Sequence, residues 1–250
     1  MKKLPSYVVW PLLFTLGLFG IWELACRAFT IPPTFLPSPL LISQSMWNFR
    51  ATLIDNSAVT LWTTLVGFGI ATVVGLLLGV MIGASRGIYE ALYPVMIGFN
   101  SVPKVAIVPV LILWFGVGTL PAVLTAFLIS FFPIVVNVAT GLATTEPELR
   151  DVLRALGASR LEIIRKIGLP RSMPYFFSSL KVAITLAFVG SVMAETVGSN
   201  KGVGHLMLSA QAAFQVPLVF AGLLALAALG IVLYAVMAIV ERRFTTWAYR

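Results

Sequence analysis

Few residues of this 250-residue chain have the types and spacing that covalent or metal chemistry needs. It contains one histidine, His205, and one cysteine, Cys26. A multi-histidine metal site, a cysteine-built metal site and an internal disulfide are therefore excluded. The glycine-rich run Gly198–Gly204 lacks the Gly-Lys-Ser/Thr ending of a nucleotide-binding loop, and no His-Glu-x-x-His motif occurs. We expect neither an enzyme nor a cofactor site, which leaves non-covalent binding as the chemistry of this chain.

The charged residues concentrate in one stretch, residues 144–174. The chain has 17 basic and 9 acidic residues. Ten of these 26 lie in the stretch: Arg150, Arg154, Arg160, Arg165, Lys166, Arg171, Glu146, Glu148, Asp151 and Glu162. So many charges cannot lie in hydrocarbon, whereas the flanking segments are apolar. The stretch therefore belongs in water, where it can bind a partner protein.

Local signals within this stretch predict two short helices separated by a sharp turn. Thr145-x-x-Glu148 and Ser159-x-x-Glu162 have the spacing of capping boxes, which begin helices. Gly157 stands where the first helix needs a residue of positive φ, and Gly168 and Pro170 are expected to end the second. Apolar stripes at helical spacing are formed by Leu149, Val152, Leu153 and Leu156, and by Leu161, Ile164 and Ile167. A capped helix pair is typical of a docking surface.

The spacing in this stretch resembles a known family. The chain reads Asp151-x-x-x-x-x-Gly157 and, after nine intervening residues, Ile167-x-Leu169-Pro170. This resembles the EAA loop of permease subunits of ABC importers, although Asp151 replaces the family's Glu and Val152-Leu153 its Ala-Ala. The segments Val108–Gly116 and Glu195–Gly204 look like those of permeases for taurine, aliphatic sulfonates and nitrate. The resemblance covers roughly residues 60–240.

Composition independently indicates an all-α integral membrane protein. Hydrophobic residues make up 59% of the chain and charged residues 10%, against about 25% charged residues in soluble domains. We predict six spans of about the length that a bilayer needs, at residues 7–28, 57–84, 91–114, 120–142, 175–197 and 216–240. They form one permease domain over residues 1–250, with a core at 57–243 and an uncleaved first span.

The distribution of basic residues predicts the orientation of these spans. Twelve lysines and arginines lie at the two termini, at Arg86 and in the 144–174 stretch, against three on the other side, Arg27, Arg50 and Lys201. The sequence leaves the sides of Lys104 and Lys181 undetermined. By the positive-inside rule, both termini and the charged stretch between spans 4 and 5 face the cytoplasm. The same rule explains the net charge of +8 without a nucleic-acid partner.

Two features inside the predicted spans point to packing and to a solute path. Gly67, Gly75, Gly79 and Gly83, with Ala71, repeat every fourth residue in span 2, which predicts a seam for close helix packing. Asn100, Pro103 and Pro109 interrupt span 3, and broken helices at membrane depth occur where protein or a water-filled cavity surrounds them. We therefore take as candidate path residues Asn100, Ser101, Lys104, Asn137 and Glu195. Two alternatives stay open: Lys104 extends to water at a membrane face, and Asn137 bonds a neighbouring helix.

The family resemblance implies a function and a set of partners. A second permease subunit (most simply an identical copy) would complete the pathway in the bacterial inner membrane. Two ATPase subunits would use the ATP and contact the cytoplasmic loop. The candidate coupling residues are Asp151, Arg154, Ala155, Gly157, Ala158, Ser159, Glu162, Ile167, Leu169 and Pro170. The solute would be a sulfonate- or nitrate-type anion or a related small molecule, moved by alternating access.

An importer of this kind also implies a substrate-binding protein on the outer side. Its candidate docking segments are the Gly198–Gln215 loop and the Thr30–Asn56 segment. One alternative is a single-chain transporter driven by ions, which would need ionisable groups deep in the membrane. A second is a membrane anchor that holds a cytoplasmic enzyme. Ion-driven uptake without ATP would favour the first, and absence of solute flux the second.

Overall fold

The computed structural model describes residues 6–143 and 147–246, and the regular elements within these ranges are helical. The α-helices are α1 (Ser6–Ala28), α2 (Pro39–Asn48), α3 (Arg50–Gly83), α4 (Arg86–Ser101), α5 (Val108–Phe115), α6 (Thr119–Ala143), α7 (Pro147–Ala155), α8 (Arg160–Ile163), α9 (Leu169–Gly198), α10 (Val203–Ala212) and α11 (Val216–Thr245). A short 3-10 helix, Lys104–Ile107, precedes α5, and a π-helical turn, Ile164–Gly168, joins α8 to α9.

The helices provide five to six membrane crossings. In the described part of the chain, five segments are long and apolar enough to span: Val9–Ala28, Arg50–Gly83, Thr119–Ala143, Leu161–Ala212 and Val216–Thr245. The bent pair Gly87–Ser101 and Lys104–Phe115 supplies a sixth crossing if it counts as one span. Each predicted span falls on one of these segments, so the predicted all-α membrane fold is confirmed.

The core is a group of three helices in which α6 packs along both α3 and α9, and α3 also contacts α9. The predicted small-residue seam of α3 contacts α6 directly. Gly67 faces Ala126, Gly75 faces Ile134 and Gly79 faces Val138, a constant offset that shows the two helices to be parallel. A Cβ atom at Gly67 would lie 2.6 Å from the Ala126 Cβ, closer than real Cβ contacts. The packing seam predicted from the sequence is therefore confirmed.

On its other side, α6 packs antiparallel to α9. Gly141 of α6 faces Ser172 near the beginning of α9, and Gly190 near the end of α9 faces Thr125. Apolar side chains of the three helices fill the core, among them Phe68, Ile134, Val138, Phe177, Leu180 and Ile184. Helix α11 packs on α9 through Leu233 and a stack of Phe244 on Phe177. The relative directions of α3, α6 and α9 match the predicted alternation of spans.

The predicted interruption of span 3 is present. Helix α4 ends at Ser101, Val102 and Pro103 are extended, and the chain turns by 72° before α5. Proline lacks an N–H donor and disfavours helical geometry in the residue before it, which accounts for the break at this position. Helix α4, the first half of this interrupted span, begins at Arg86 and not at the predicted residue 91. Gly87 lies in its first turn, where a glycine is tolerated.

A further small helix unit lies at the end of the bundle opposite to residues 144–174. The Gly198–Gln215 segment, predicted as a loop, contains helix α10. Buried side chains of α2, α3, α10 and α11 form one cluster there: Ile42, Leu53, Ala210, Leu218 and Ala221. We call α2, α10 and the beginning of α11 the distal unit. The two segments predicted to receive a binding protein therefore belong largely to one packed unit.

Candidate coupling turn and polar clusters

The turn between α7 and α8 is fixed by backbone hydrogen bonds. The Gly157 N–H donates to the Arg154 carbonyl and the Ala158 N–H donates to the Leu153 carbonyl, both at 2.9 Å. Together with the φ of +83° at Gly157, these bonds form a Schellman motif. A side chain at Gly157 would strain the backbone at this φ, although no atom lies within 4 Å of a Cβ built there. The predicted glycine turn is confirmed.

A capping box begins helix α8 immediately afterwards. The Glu162 carboxylate accepts hydrogen bonds from the Ser159 N–H at 2.9 Å and the Ser159 hydroxyl at 2.8 Å. In return, the Glu162 N–H donates to the Ser159 hydroxyl oxygen at 3.3 Å. This reciprocal pattern is the one expected for Ser159-x-x-Glu162. The capping box predicted further upstream includes Thr145, which lies outside the described residues.

The segment Ala155–Glu162, which we call the exposed turn, presents apolar side chains to its surroundings. Leu156 is 77% exposed and Leu161, next to Glu162, is 74% exposed. Of the α7 stripe predicted from the sequence, Val152 and Leu156 are exposed and Leu153 is half-buried. The side chains of Leu149 and Asp151 lie outside the described set, so the coupling role of Asp151 stays a prediction.

The exposed turn continues rigidly into the long core helix α9. The sequence predicts that Gly168 and Pro170 end the second short helix, and this prediction is wrong. The Leu169 N–H donates to the Ile164 carbonyl, five residues back, so a π-helical turn carries the chain directly into α9. Pro170 is accommodated because the first turn of a helix needs no N–H donor from it.

Contacts with α6 hold this junction in place. Ile163 is buried, and a Cβ atom at Gly168 would lie 2.9 Å from a Leu142 methyl group of α6. Three of the predicted coupling residues lie at this junction: Ile167 and Leu169 are half-buried and Pro170 is exposed. These three residues therefore belong to the junction with the core and not to the exposed turn itself.

The structure brings two of the predicted path residues together at the break in span 3. The Lys104 ammonium donates to the Asn100 side-chain oxygen at 2.6 Å and to the Asn100 carbonyl at 2.7 Å. It also lies 5.9 Å from the centre of the Phe132 ring. The cation thus caps the carboxyl end of α4, where a positive charge is stabilised. Ser101, next to it, is exposed and donates to the Ile97 carbonyl at 3.0 Å.

The other two predicted path residues lie in different surroundings. The Asn137 amide is half-buried and donates to the Pro133 carbonyl of its own helix at 2.8 Å. Glu195 is only 1% exposed. Its carboxylate accepts hydrogen bonds from the Thr60 hydroxyl at 2.9 Å and the Gly204 N–H at 3.1 Å.

Sequence reasoning missed the polar residues that surround Glu195. Thr63 donates to Glu195 at 3.5 Å and is 2.6 Å from the Ser191 hydroxyl oxygen, while Asn56 accepts from the Gly202 N–H at 2.8 Å. The sequence did contain a pattern that places three of these polar residues on one helix face. Asn56, Thr60 and Thr63 recur at helical spacing in an otherwise apolar span and so share one face of α3.

A partly buried ion pair between α9 and α11 was also missed. The Lys181 ammonium lies 2.6 Å from the Glu241 carboxylate. The sequence left the side of Lys181 undetermined. Because Glu241 is near the end of α11, the pair lies in the half of the bundle nearer the exposed turn.

Comparison with known sequences identifies the family. The family described as the inner-membrane component of binding-protein-dependent transport systems matches residues 71–246. A probable ABC transporter permease protein of Haemophilus influenzae is 33% identical over 90% of this chain and 91% of its own length. The formylaminopyrimidine transport permease protein ThiX of Halalkalibacterium halodurans is 30% identical over 95% of both chains. The putative aliphatic sulfonates permease SsuC of Bacillus subtilis is 27% identical over 94% of this chain and 86% of its own.

The fold agrees with this family. A chain from an inward-facing structure of the MetNI methionine ABC transporter superimposes with a TM-score of 0.68 at 20% identity, covering 79% of this chain and 98% of that chain. The predicted resemblance to permeases is thus confirmed, and permease subunits of this family are not catalytic. The chain belongs to the inner-membrane components of binding-protein-dependent transport systems and is a multi-pass permease subunit of an ABC importer.

Proposed function

We propose that two copies of this chain form the translocation pathway for a small solute, and that two separate ATPase subunits drive the pathway by alternating access. Each chain acts as a single permease domain in the bacterial inner membrane, with both termini in the cytoplasm. A substrate-binding protein delivers the solute from the other side. Family membership supports this assembly and argues against a single-chain ion-coupled transporter.

The observation that carries the proposal is the exposed turn. Its backbone is fixed by the Schellman motif and the capping box, so little conformational freedom is left to lose on binding. It also exposes Leu156 and Leu161, apolar side chains that a cleft in another protein would bury. We infer that each ATPase subunit holds this turn, with Gly157, Ala158 and Ser159 at the contact.

The way in which the turn joins the bundle supports a transmission route. Helix α9 has 30 residues, which at 1.5 Å per residue extend about 45 Å. The π-helical turn connects it to α8 without a flexible linker. A movement of the exposed turn therefore displaces α9 and, through the contact of Gly168 with Leu142, also α6. Asp151 and Arg154 belong to the α7 side of this contact.

For the pathway, we propose the break in span 3, with Asn100, Ser101 and Lys104, and the half-buried Asn137 on α6. Helix α5, which follows the break, packs on α6 and α9 through Val108 and Ile112. The break therefore adjoins both helices that the exposed turn would move. Glu195, a path candidate in the sequence, is enclosed by hydrogen-bond donors of its own chain, which supports a different role for it.

For the solute, two chemical classes are to be tested. The names of the relatives include a sulfonate permease and a permease for a pyrimidine. We propose a small anion of the sulfonate or nitrate type if Lys104 contacts the solute, and a small heterocycle if Lys104 only caps α4. Lys104→Gln separates the two, because it removes the charge but keeps a donor for the Asn100 carbonyl. Uptake of an anion would fall, whereas uptake of a neutral heterocycle would persist.

The proposed function is tested by reconstitution in vesicles with the ATPase subunits and the binding protein of the same transport system. Solute should enter only when hydrolysable ATP is supplied on the cytoplasmic side and the binding protein is present outside. A non-hydrolysable ATP analogue should stop uptake. Uptake by the permease alone under an ion gradient would overturn the proposal in favour of a secondary transporter.

A further inference from the structure

The first turn of α10 is bound by side chains of other helices. Three successive N–H groups at its beginning have partners on α3 or α9: Gly202 donates to Asn56 at 2.8 Å, Val203 to the Thr60 hydroxyl oxygen at 2.9 Å and Gly204 to Glu195 at 3.1 Å. The first N–H groups of a helix have no partner within it. In α10, Asn56 and Thr60, which are more than 100 positions away in the sequence, and Glu195 accept these hydrogen bonds in place of a neighbouring N-cap side chain.

Glu195 is at the centre of this arrangement. Its carboxylate lies at the positive end of α10, where a negative charge is stabilised. The Thr60 hydroxyl connects the two sides, because it donates to Glu195 and accepts from Val203. A buried carboxylate is costly unless it is hydrogen-bonded, and here donors from α3 and α10 surround it.

The backbone of the segment is shaped around the carboxylate. Gly202 has a φ of +105°, and a Cβ atom at this position would overlap the Glu195 carboxylate. At Gly204, a Cβ atom would lie 2.6 Å from the Val192 carbonyl oxygen of α9. The backbone at Gly202 and Gly204 therefore lies so close to α9 that neither position can take a larger residue without a shift.

Glu195 lies at the opposite end of α9 from the exposed turn. The distal unit is packed as one body through Ile42, Ala210 and Leu218, and its hydrogen bonds to Glu195 connect it to α9. A displacement of the distal unit is therefore passed to α9, the helix that continues into the exposed turn.

We propose that Glu195 is a positioning residue that couples binding-protein docking on the distal unit to α9, and through α9 to the ATPase subunits. This inference rests on the proposed function. Without the Glu195 hydrogen bonds, the distal unit would still bind a partner, but its displacement would no longer move α9. The binding protein would then stimulate ATP hydrolysis less, although the ATPase subunits remain attached.

The test compares ATP hydrolysis with and without the binding protein, using the full complex in lipid nanodiscs. In Glu195→Met, which removes both carboxylate acceptors at similar side-chain length, and in Thr60→Val, we expect the ratio of stimulated to basal hydrolysis to fall about tenfold, within the range of typical coupling energies. Thr60→Ser retains the hydroxyl that bridges Glu195 and Val203, so its ratio of stimulated to basal hydrolysis should equal that of the wild type. Thr72→Val is the matched control, since the Thr72 hydroxyl donates to the Phe68 carbonyl of its own helix.

Amide hydrogen exchange at residues 202–204 shows whether the variants release the first turn of α10. Faster exchange with a reduced ratio supports the proposal. Wild-type ratios in both Glu195→Met and Thr60→Val overturn it, as does an equal loss in Thr60→Ser. If Glu195→Met does not assemble, the comparison of Thr60→Val with Thr60→Ser still tests the proposal. A wild-type complex without ATP-dependent uptake would instead refute the proposed function.

Discussion

The exposed turn and the cluster around Glu195 each contain a glycine of positive φ, but the two glycines are required for different reasons. At Gly157, in the exposed turn, φ is +83° and no atom lies within 4 Å of a built Cβ. At Gly202, in the cluster around Glu195, φ is +105° and the carboxylate occupies the place of a Cβ. The first glycine is needed only for its backbone conformation, whereas the second is needed also for space.

Their hydrogen bonds differ in the same way. The exposed turn is held by partners within five residues along the chain, while the Glu195 cluster joins residues more than 100 positions apart. A locally determined turn keeps its shape when its outer surface is used by a partner. A cluster built from distant residues holds helices together. Variants should therefore separate into those that affect coupling and those that affect stability.

The largest effect on stability is expected for Gly202→Ala. A Cβ atom would collide with the Glu195 carboxylate and be strained at positive φ, for a combined cost of about 3 kcal/mol. We expect a clearly lower midpoint of thermal unfolding in detergent. Gly98→Ala on α4 is the control, because no atom lies within 4 Å of its Cβ. Equal midpoints for the two variants would contradict the assignment of Gly202 to a packed site.

Gly157→Val is expected to disturb coupling and to leave the membrane fold intact. A β-branched residue at this φ costs about 1–3 kcal/mol locally, enough to distort the turn. The measurement is the amount of ATPase that co-purifies with the permease, alongside the unfolding midpoint. Gly157→Asn, which tolerates positive φ, is the control and should keep the complex. A complex that survives Gly157→Val undiminished would count against the docking role.

Glu162→Ala should have a smaller effect on the same turn. The Ser159 N–H and hydroxyl would lose their common acceptor, which weakens the beginning of α8. ATP-dependent uptake is expected to fall severalfold, while Glu162→Gln, also compatible with a capping box, should retain most of it. Equal uptake in both variants would show that the cap does not contribute to coupling.

The smallest predicted effect is that of Ser191→Ala in the Glu195 cluster. The Thr63 hydroxyl would lose Ser191 but keep the Val59 and Thr60 carbonyls and Glu195 as partners. We expect a destabilisation of about 0.5–1 kcal/mol, seen as a slightly lower unfolding midpoint, with ATPase co-purification unchanged. Ser179→Ala, which removes a bond within one helix, should change less. Loss of ATPase binding in Ser191→Ala would contradict the expectation that the Glu195 cluster affects stability and the exposed turn affects ATPase binding.

The contrast also explains what the sequence predicts. The Gly157 turn, the Ser159–Glu162 capping box and the seam at Gly67 depend on neighbours at helical spacing, so they can be read locally. The same rules misplace the end of the second short helix, since a π-helical turn lets the chain continue through Gly168 and Pro170. The common face of Asn56, Thr60 and Thr63 can be predicted from their spacing. Their contact with Glu195 could not be, because it depends on how α3, α9 and α10 meet in space.

Docking of the ATPase subunits on the exposed turn is tested by comparing Leu156→Asp with Phe214→Asp. Both residues are exposed apolar side chains, 77% and 82% respectively, at opposite ends of the bundle. We predict that Leu156→Asp lowers the amount of co-purified ATPase at least about tenfold, as expected for burial of a charge in an apolar contact, and that Phe214→Asp leaves it unchanged. An undiminished complex in Leu156→Asp would contradict the account.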